Sequence, residues 1–176
     1  MPSEKSYDWL GPGIYFWEDD PLRAYQWACH PRRGFTNPTL VGAVIDLGRC
    51  LDLTTQNGIE AVKSAYLGLA ELQALTGEPL PKNTGKENEQ RHLDCAVIKH
   101  LHRARTQMAK TDPSVLPYQT VRALFAEGNE LYDGAGFRDQ THVQVSVIDP
   151  MQIEGVFRLP EWKRKIYGIE ADLYPF

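Results

Sequence analysis

The stretch Tyr7–Cys29, YDWLGPGIYFWEDDPLRAYQWAC, constrains the chain more than any other. Four aromatic residues fall between Trp9 and Trp17, in a chain that is only 10% aromatic. Gly11 and Gly13 bracket Pro12, which sets a tight turn where the backbone can come close to a neighbour or a ligand. Leu10–Trp17 reads as a turn entering a strand, whose aromatic rings supply flat apolar walls with polar tips. Asp19-Asp20-Pro21 opens a helix, with a capping acid followed by proline in the first turn. A buried strand with packed aromatics is the simplest outcome. The order of glycine turn, aromatic strand, acidic break and helix points to a site.

The remaining sequence sets the frame. A chain of 176 residues fits one domain with a sizeable core. Hydrophobic content of 42% and charged content of 24% are ordinary for a globular protein. The net charge of −4 gives no global footprint for nucleic acid and leaves a local one open. Cys29, Cys50 and Cys95 are odd in number and widely spaced, which suggests neither a disulfide framework nor a metal knuckle. Buried reduced thiols and a cytoplasmic location are the expectation. No apolar run is long enough to span a membrane, and Met1–Ser6 does not read as a signal peptide.

Taken in order, Met1–Ser6 is polar and expected to fray. Leu22, Tyr25 and Cys29 share one face of the first helix, which His30–Gly34 ends. Val41–Leu47 is apolar and β-branched and reads as a central strand, followed by a short extended piece at Leu51–Leu53. Asn57 is placed to cap a second helix whose stripe is Ile59, Val62, Tyr66, Leu69 and Leu72, with Gly77 as its stop. Glu78–Gln90 reads as an exposed loop. A third helix over Arg91–Gln107 buries Leu93, Ala96, Val97, Leu101 and Ala104. Thr111–Pro117 is a proline loop, Val121–Phe125 a strand and Gly128–Phe137 a glycine-shaped loop. Val143–Ile148 alternates, and Ile153–Phe157 returns from the Asp149-Pro150 turn as a hairpin partner. The tail Glu161–Phe176 mixes charge with aromatics and is expected to dock on the domain.

In Val143–Ile148, Thr141, Val143, Val145 and Val147 point one way, and His142, Gln144, Ser146 and Ile148 the other. One face is apolar and the other starts polar, as at a strand that lines a cleft at one end. A strand with one solvent face has the same pattern. Other groupings are weaker. His92, Asp94, His100 and His102 lie on one helix, with His100 and His102 about 200° apart, so no metal site is expected. Gly11-Pro12-Gly13 is not a dinucleotide fingerprint, since Phe16 stands where a third glycine belongs. Cys95 with His92 suggests a thiol nucleophile less than a buried thiol. Arg32-Arg33 reads as an exposed pair before it reads as a phosphate contact.

The segment Gly11-Pro12-Gly13-Ile14-Tyr15-Phe16, with Arg23-Ala24-Tyr25 on the next helix, resembles the ADP-ribosyltransferase superfamily in its poly-ADP-ribose-polymerase-like branch. It is similar to small bacterial transferases of that type, some of them toxin-like. The resemblance continues through Leu51–Thr54, Leu93–Ile98, Phe125–Phe137 and Thr141–Val147, and so covers most of the chain. It implies an α+β fold with an ADP-ribosyltransferase-like split β-sheet core and flanking helices, as a single domain over residues 1–176. It implies NAD as substrate, with nicotinamide against Tyr15 and Tyr25 and the backbone of Gly11 and Gly13 close to its amide. The stretch Gln144-Val-Ser-Val-Ile-Asp149-Pro-Met-Gln152-Ile153 places Gln144 at the catalytic position, where relatives carry glutamate or, in variants, glutamine. The expected reaction is mono-ADP-ribosyl transfer to a protein or nucleic acid, with a neutralising antitoxin as a further partner. Relatives hold the adenosine side of NAD with a histidine or arginine on a preceding strand, and no such residue precedes Tyr7. That departure supports a second expectation, a catalytically degenerate module that binds a partner or nucleotide. A third, a nuclease or hydrolase built on His142 and nearby acids, rests on the polar face alone.

Overall fold

The computed structural model describes residues 2–36, 38–85 and 90–169. The fold is α+β. A four-stranded mixed sheet has the order β1 (Ile14–Trp17), β5 (His142–Val147), β4 (Thr120–Phe125), β3 (Cys50–Asp52). Only β3 and β4 run parallel; the other pairs are antiparallel. A separate two-stranded sheet pairs β2 (Val41–Ile45) with β6 (Ile153–Arg158) and carries an irregularity at Val44/Ile45. The helices are α1 (Pro21–Cys29), α2 (Gln56–Thr76), α3 (His92–Met108) and the short α4 (Glu161–Ile166).

Local chemistry sets most boundaries. The Asp20 carboxylate accepts the Arg23 amide at 2.9 Å and caps α1, with Pro21 in its first turn. Thr55, not Asn57, caps α2 by accepting the Gly58 amide. Gly77 ends that helix in the left-handed region at φ 73°. The cap of α3 comes from a distance. The Asn83 side-chain oxygen accepts the amides of Leu93 and Asp94 at 2.8 and 3.4 Å.

The main core joins Leu10, Leu51, Ile98, Val121 and Ala123, with Trp9, Tyr15 and Leu101 packed around it. Helix α3 therefore covers one face of the four-stranded sheet. A second cluster of Ala65, Leu69 and Val97 joins α2 to α3. The inward stripe of α2 is shifted from the expected one: Ile59, Tyr66 and Leu72 are exposed, while Gly58, Ala65 and Leu69 are buried. Small residues let the helix approach closely. A Cβ on Gly58 would collide with the carbonyl of Asp52.

Four further expectations are corrected. Residues 41–45 form an outer strand with Val41 and Val44 exposed, because β-branching reports strand preference and not centrality. Strand β6 does not form a hairpin with β5. The Gln119 carbonyl accepts the amides of both Ile148 and Asp149, a 3-10 turn follows at Pro150–Gln152, and β6 leaves to pair with β2. The N-terminal segment is tied down: Ser3 and Gly13 exchange backbone hydrogen bonds of 2.7 and 3.1 Å. Of the expected docked tail, α4 and the buried Ile169 are described, and 170–176 lie outside the described residues. Cys95 is buried and Cys50 half-buried, but Cys29 is exposed.

Candidate functional site

Strand register brings the two ends of the sequence pattern together. β1 lies beside β5, with Tyr15 opposite Ser146 and Trp17 opposite Gln144. On the other side of β5, Ala123 faces Gln144 and Phe125 faces His142. Directly paired residues share a face. His142, Gln144 and Ser146 thus stand on the α3-covered face, with Val121 and Ala123. The polar row expected at an open cleft is instead inside: His142 is 5% exposed, Gln144 8% and Ser146 0%.

Gln144 sits in a directed hydrogen-bond chain. Its oxygen accepts the Trp9 indole N–H at 2.7 Å. Its nitrogen lies 2.9 Å from His142 Nε2, and His142 Nδ1 lies 2.7 Å from the Gln140 carbonyl. A carbonyl only accepts, so the imidazole proton is on Nδ1 and the Gln144 amide donates to a bare Nε2. Among the described residues each end of the amide keeps capacity: one lone pair on Oε1 and one N–H on Nε2. Burial, first, holds the His142 pKa below the usual imidazole range; the Gln140 bond opposes that, and the charges of Arg23, Glu127 and Asp20 act on it further.

Rings enclose this chain. Trp9 packs on Phe125 with centroids 4.7 Å apart, Phe125 on His142 at 5.4 Å, and Trp17 on His142 at 6.2 Å and on Trp27 at 5.1 Å. The Arg33 guanidinium stacks 3.8 Å over Trp27. The inward residue of α1 is Arg23, buried and paired with Glu127 at the start of the β4–β5 loop. The indole nitrogen of Trp17 and Arg23 Nε are buried donors with no acceptor among the described residues.

The other sequence candidates have firm structural duties. Tyr15 is half-buried, and its hydroxyl donates to the Gly11 carbonyl at 2.7 Å while accepting the Leu10 amide at 3.0 Å. Burial, then the charge of Asp8, hold its phenol protonated well above the usual tyrosine range. Gly11 has φ 77°, and a Cβ there would press on Ile98. A Cβ on Gly13 would overlap the Ser146 hydroxyl and crowd the Val147 carbonyl. Both glycines are needed for packing whatever else they contact. Tyr25 is half-buried on α1. Trp9, Trp17, Arg23 and Glu127 complete the site and were not assigned a role in it from sequence, whereas His142 was placed on the polar face beside Gln144. The readable signal was alternation, since His142 and Gln144 are two apart on one strand.

Two cavities lie near this strand. One of about 510 Å³ is lined by Gly128, Asn129, Glu130, Tyr132, Asp133 and Arg138 of the β4–β5 loop. Another, of about 360 Å³, lies at the Gly13–Ile148 end, beside Lys99, His102 and Arg103. Gln144 lines neither. No helix among the described residues is long and apolar enough to cross a membrane. Comparison with protein-family models, curated proteins and solved structures returned no match.

Proposed function

We propose that the chain is an NAD-dependent mono-ADP-ribosyltransferase with an ADP-ribosyltransferase-like fold, in which Gln144 acts at the scissile bond. One observation carries this reading: the glycine–aromatic strand β1 pairs directly with the strand that bears Gln144. Both halves of the resemblance therefore converge on one end of one sheet. In the reaction, the bond from ribose C1′ to nicotinamide nitrogen breaks. Nicotinamide leaves with the electron pair, and a nucleophile of a protein or nucleic acid attacks C1′ and loses its proton. The free lone pair of Gln144 Oε1 accepts from the ribose 2′-hydroxyl and stabilises the cationic ribose by position. An amide brings no negative charge, so slow single transfer is expected and not polymer growth. With Gln144 8% exposed, NAD gains access only when the aromatic cover of Trp9 and Trp17 moves. The toxin-like resemblance adds a small neutralising protein as partner and the cytoplasm as the place of action.

The burial of Gln144 and the filled Cβ positions at Gly11 and Gly13 favour a second reading, a partner- or nucleotide-binding module without chemistry. The hydrolase reading has only the polar face of β5 behind it, and that face is buried. Incubating the purified protein with NAD and measuring nicotinamide separates the first two: release supports transferase chemistry, and NAD binding without release supports the module.

A further inference from the structure

We propose that His142 is a positioning residue whose protonation state selects the orientation of the Gln144 amide, making the Trp9–Gln144–His142 chain a pH-operated switch of the site. The inference rests on the reading of Gln144 as the group that meets substrate.

The argument is one of donors and acceptors. With Nδ1 donating to the Gln140 carbonyl, Nε2 is an acceptor, and only the amide nitrogen of Gln144 satisfies it. The amide oxygen then faces the Trp9 indole, which can only donate. At both contacts a donor meets an acceptor, so one orientation is selected, and Oε1 keeps one lone pair for a ligand. Adding a proton to Nε2 sets N–H against N–H. Rotating the amide by half a turn mends that contact but sets its NH2 against the Trp9 N–H. The conflict cannot be removed within the chain, only moved to Trp9, whose bond must then break.

The groups that face His142 come from four elements. Arg23 and Asp20 belong to α1 and its cap, Glu127 and Gln140 to the β4–β5 loop, and the rings of Trp17 and Phe125 close the sides. Burial of the imidazole and the Arg23 charge oppose its protonation; Glu127 and Asp20 favour it. The neutral, working orientation therefore holds through neutral pH and inverts in acid.

Nuclear magnetic resonance on 15N-labelled protein tests this through two rings that need not touch. The Trp9 indole N–H signal is expected to shift with the same pH midpoint as the His142 ring nitrogens. In Gln144→Leu, the Trp9 response is expected to vanish while His142 still titrates. In Gln144→Glu, a second variant that keeps an acceptor towards both partners, the His142 midpoint is expected to rise. A Trp9 signal that stays constant through the His142 titration of the wild type overturns the switch. Nicotinamide release is expected to fall about tenfold one pH unit below the midpoint. An indole that follows His142 while release ignores it overturns the role of Gln144 in catalysis and leaves the hydrogen-bond switch standing.

Discussion

Trp17 stands directly opposite Gln144 across the β1–β5 pair, and the Trp9 indole bonds the same amide from the turn before β1. The segment read first in the sequence thus encloses a residue near its other end. Tyr15, between these two tryptophans, is the first place to separate folding from function.

Tyr15→Phe removes one hydroxyl that serves both the Leu10 amide and the Gly11 carbonyl. The expected cost is about 1–3 kcal/mol in urea denaturation, with a single cooperative transition retained. Tyr15→Ala adds loss of the ring beside Leu10 and Ile98, bringing the cost to about 3–5 kcal/mol. An unchanged midpoint in Tyr15→Phe would show that the turn is held by other contacts.

Gly13→Ala is expected to lose about 1–3 kcal/mol or more, because its Cβ meets the Ser146 hydroxyl and the Val147 carbonyl. Gly155→Ala in β6 is the control, since a Cβ there meets nothing within 4 Å. It should be neutral or slightly stabilising by restricting the unfolded chain. Comparable losses in the two variants would contradict the close packing of the Gly13 turn on β5.

The division between what the residues announce and what they hide is physical. The start of α1 at Pro21, the stop of α2 at Gly77 and the alternation of β5 are written in local chemistry, and all three are legible. The Asn83 cap of α3 and the pairing of β6 with β2 depend on groups far apart along the chain, which no local window contains. The site divides in the same way. Gln144 and His142 stand out on one strand, but which face of that strand α3 covers is a tertiary fact. Hence an expected cleft residue proved to be buried. The burial of Arg23 was hidden because a cation is expected outside, and its ion pair with Glu127, which offsets that burial, lies far along the chain.

His102 on α3 gives a pH dependence of stability. Burial pushes its imidazole down to about 4, and its Nε2 has no partner among the described residues. The unfolded chain binds this proton near pH 6.5, before the folded one does. Stability is therefore full above that value and lost as pH falls towards 4. Allowing for partial exposure, the loss is on the order of 2 kcal/mol. Comparing denaturation of wild type and His102→Phe between these pH values isolates it from the carboxylates. Parallel curves would place His102 in a solvated setting.

Glu127→Gln removes the counter-charge of the buried Arg23 guanidinium, and is expected to cost about 1–3 kcal/mol. It also removes a negative charge that favours the His142 imidazolium while Arg23 stays, so the imidazole should titrate at lower pH than in the wild type. Arg23→Met should move it the other way. His142 titrations read by NMR check both signs, and a common direction of shift would show that these charges do not act on the ring.

The most direct measurement is nicotinamide release by folded Gln144→Ala and Gln144→Glu, with urea denaturation on the same samples. Removing the amide leaves the Trp9 N–H and His142 Nε2 without their partner, so Gln144→Ala should lose about 1–3 kcal/mol yet remain folded under assay conditions. It is expected to release no nicotinamide. Gln144→Glu places a carboxylate beside the cationic ribose and is expected to match or exceed the wild type. Release at the wild-type rate from folded Gln144→Ala would contradict a catalytic Gln144.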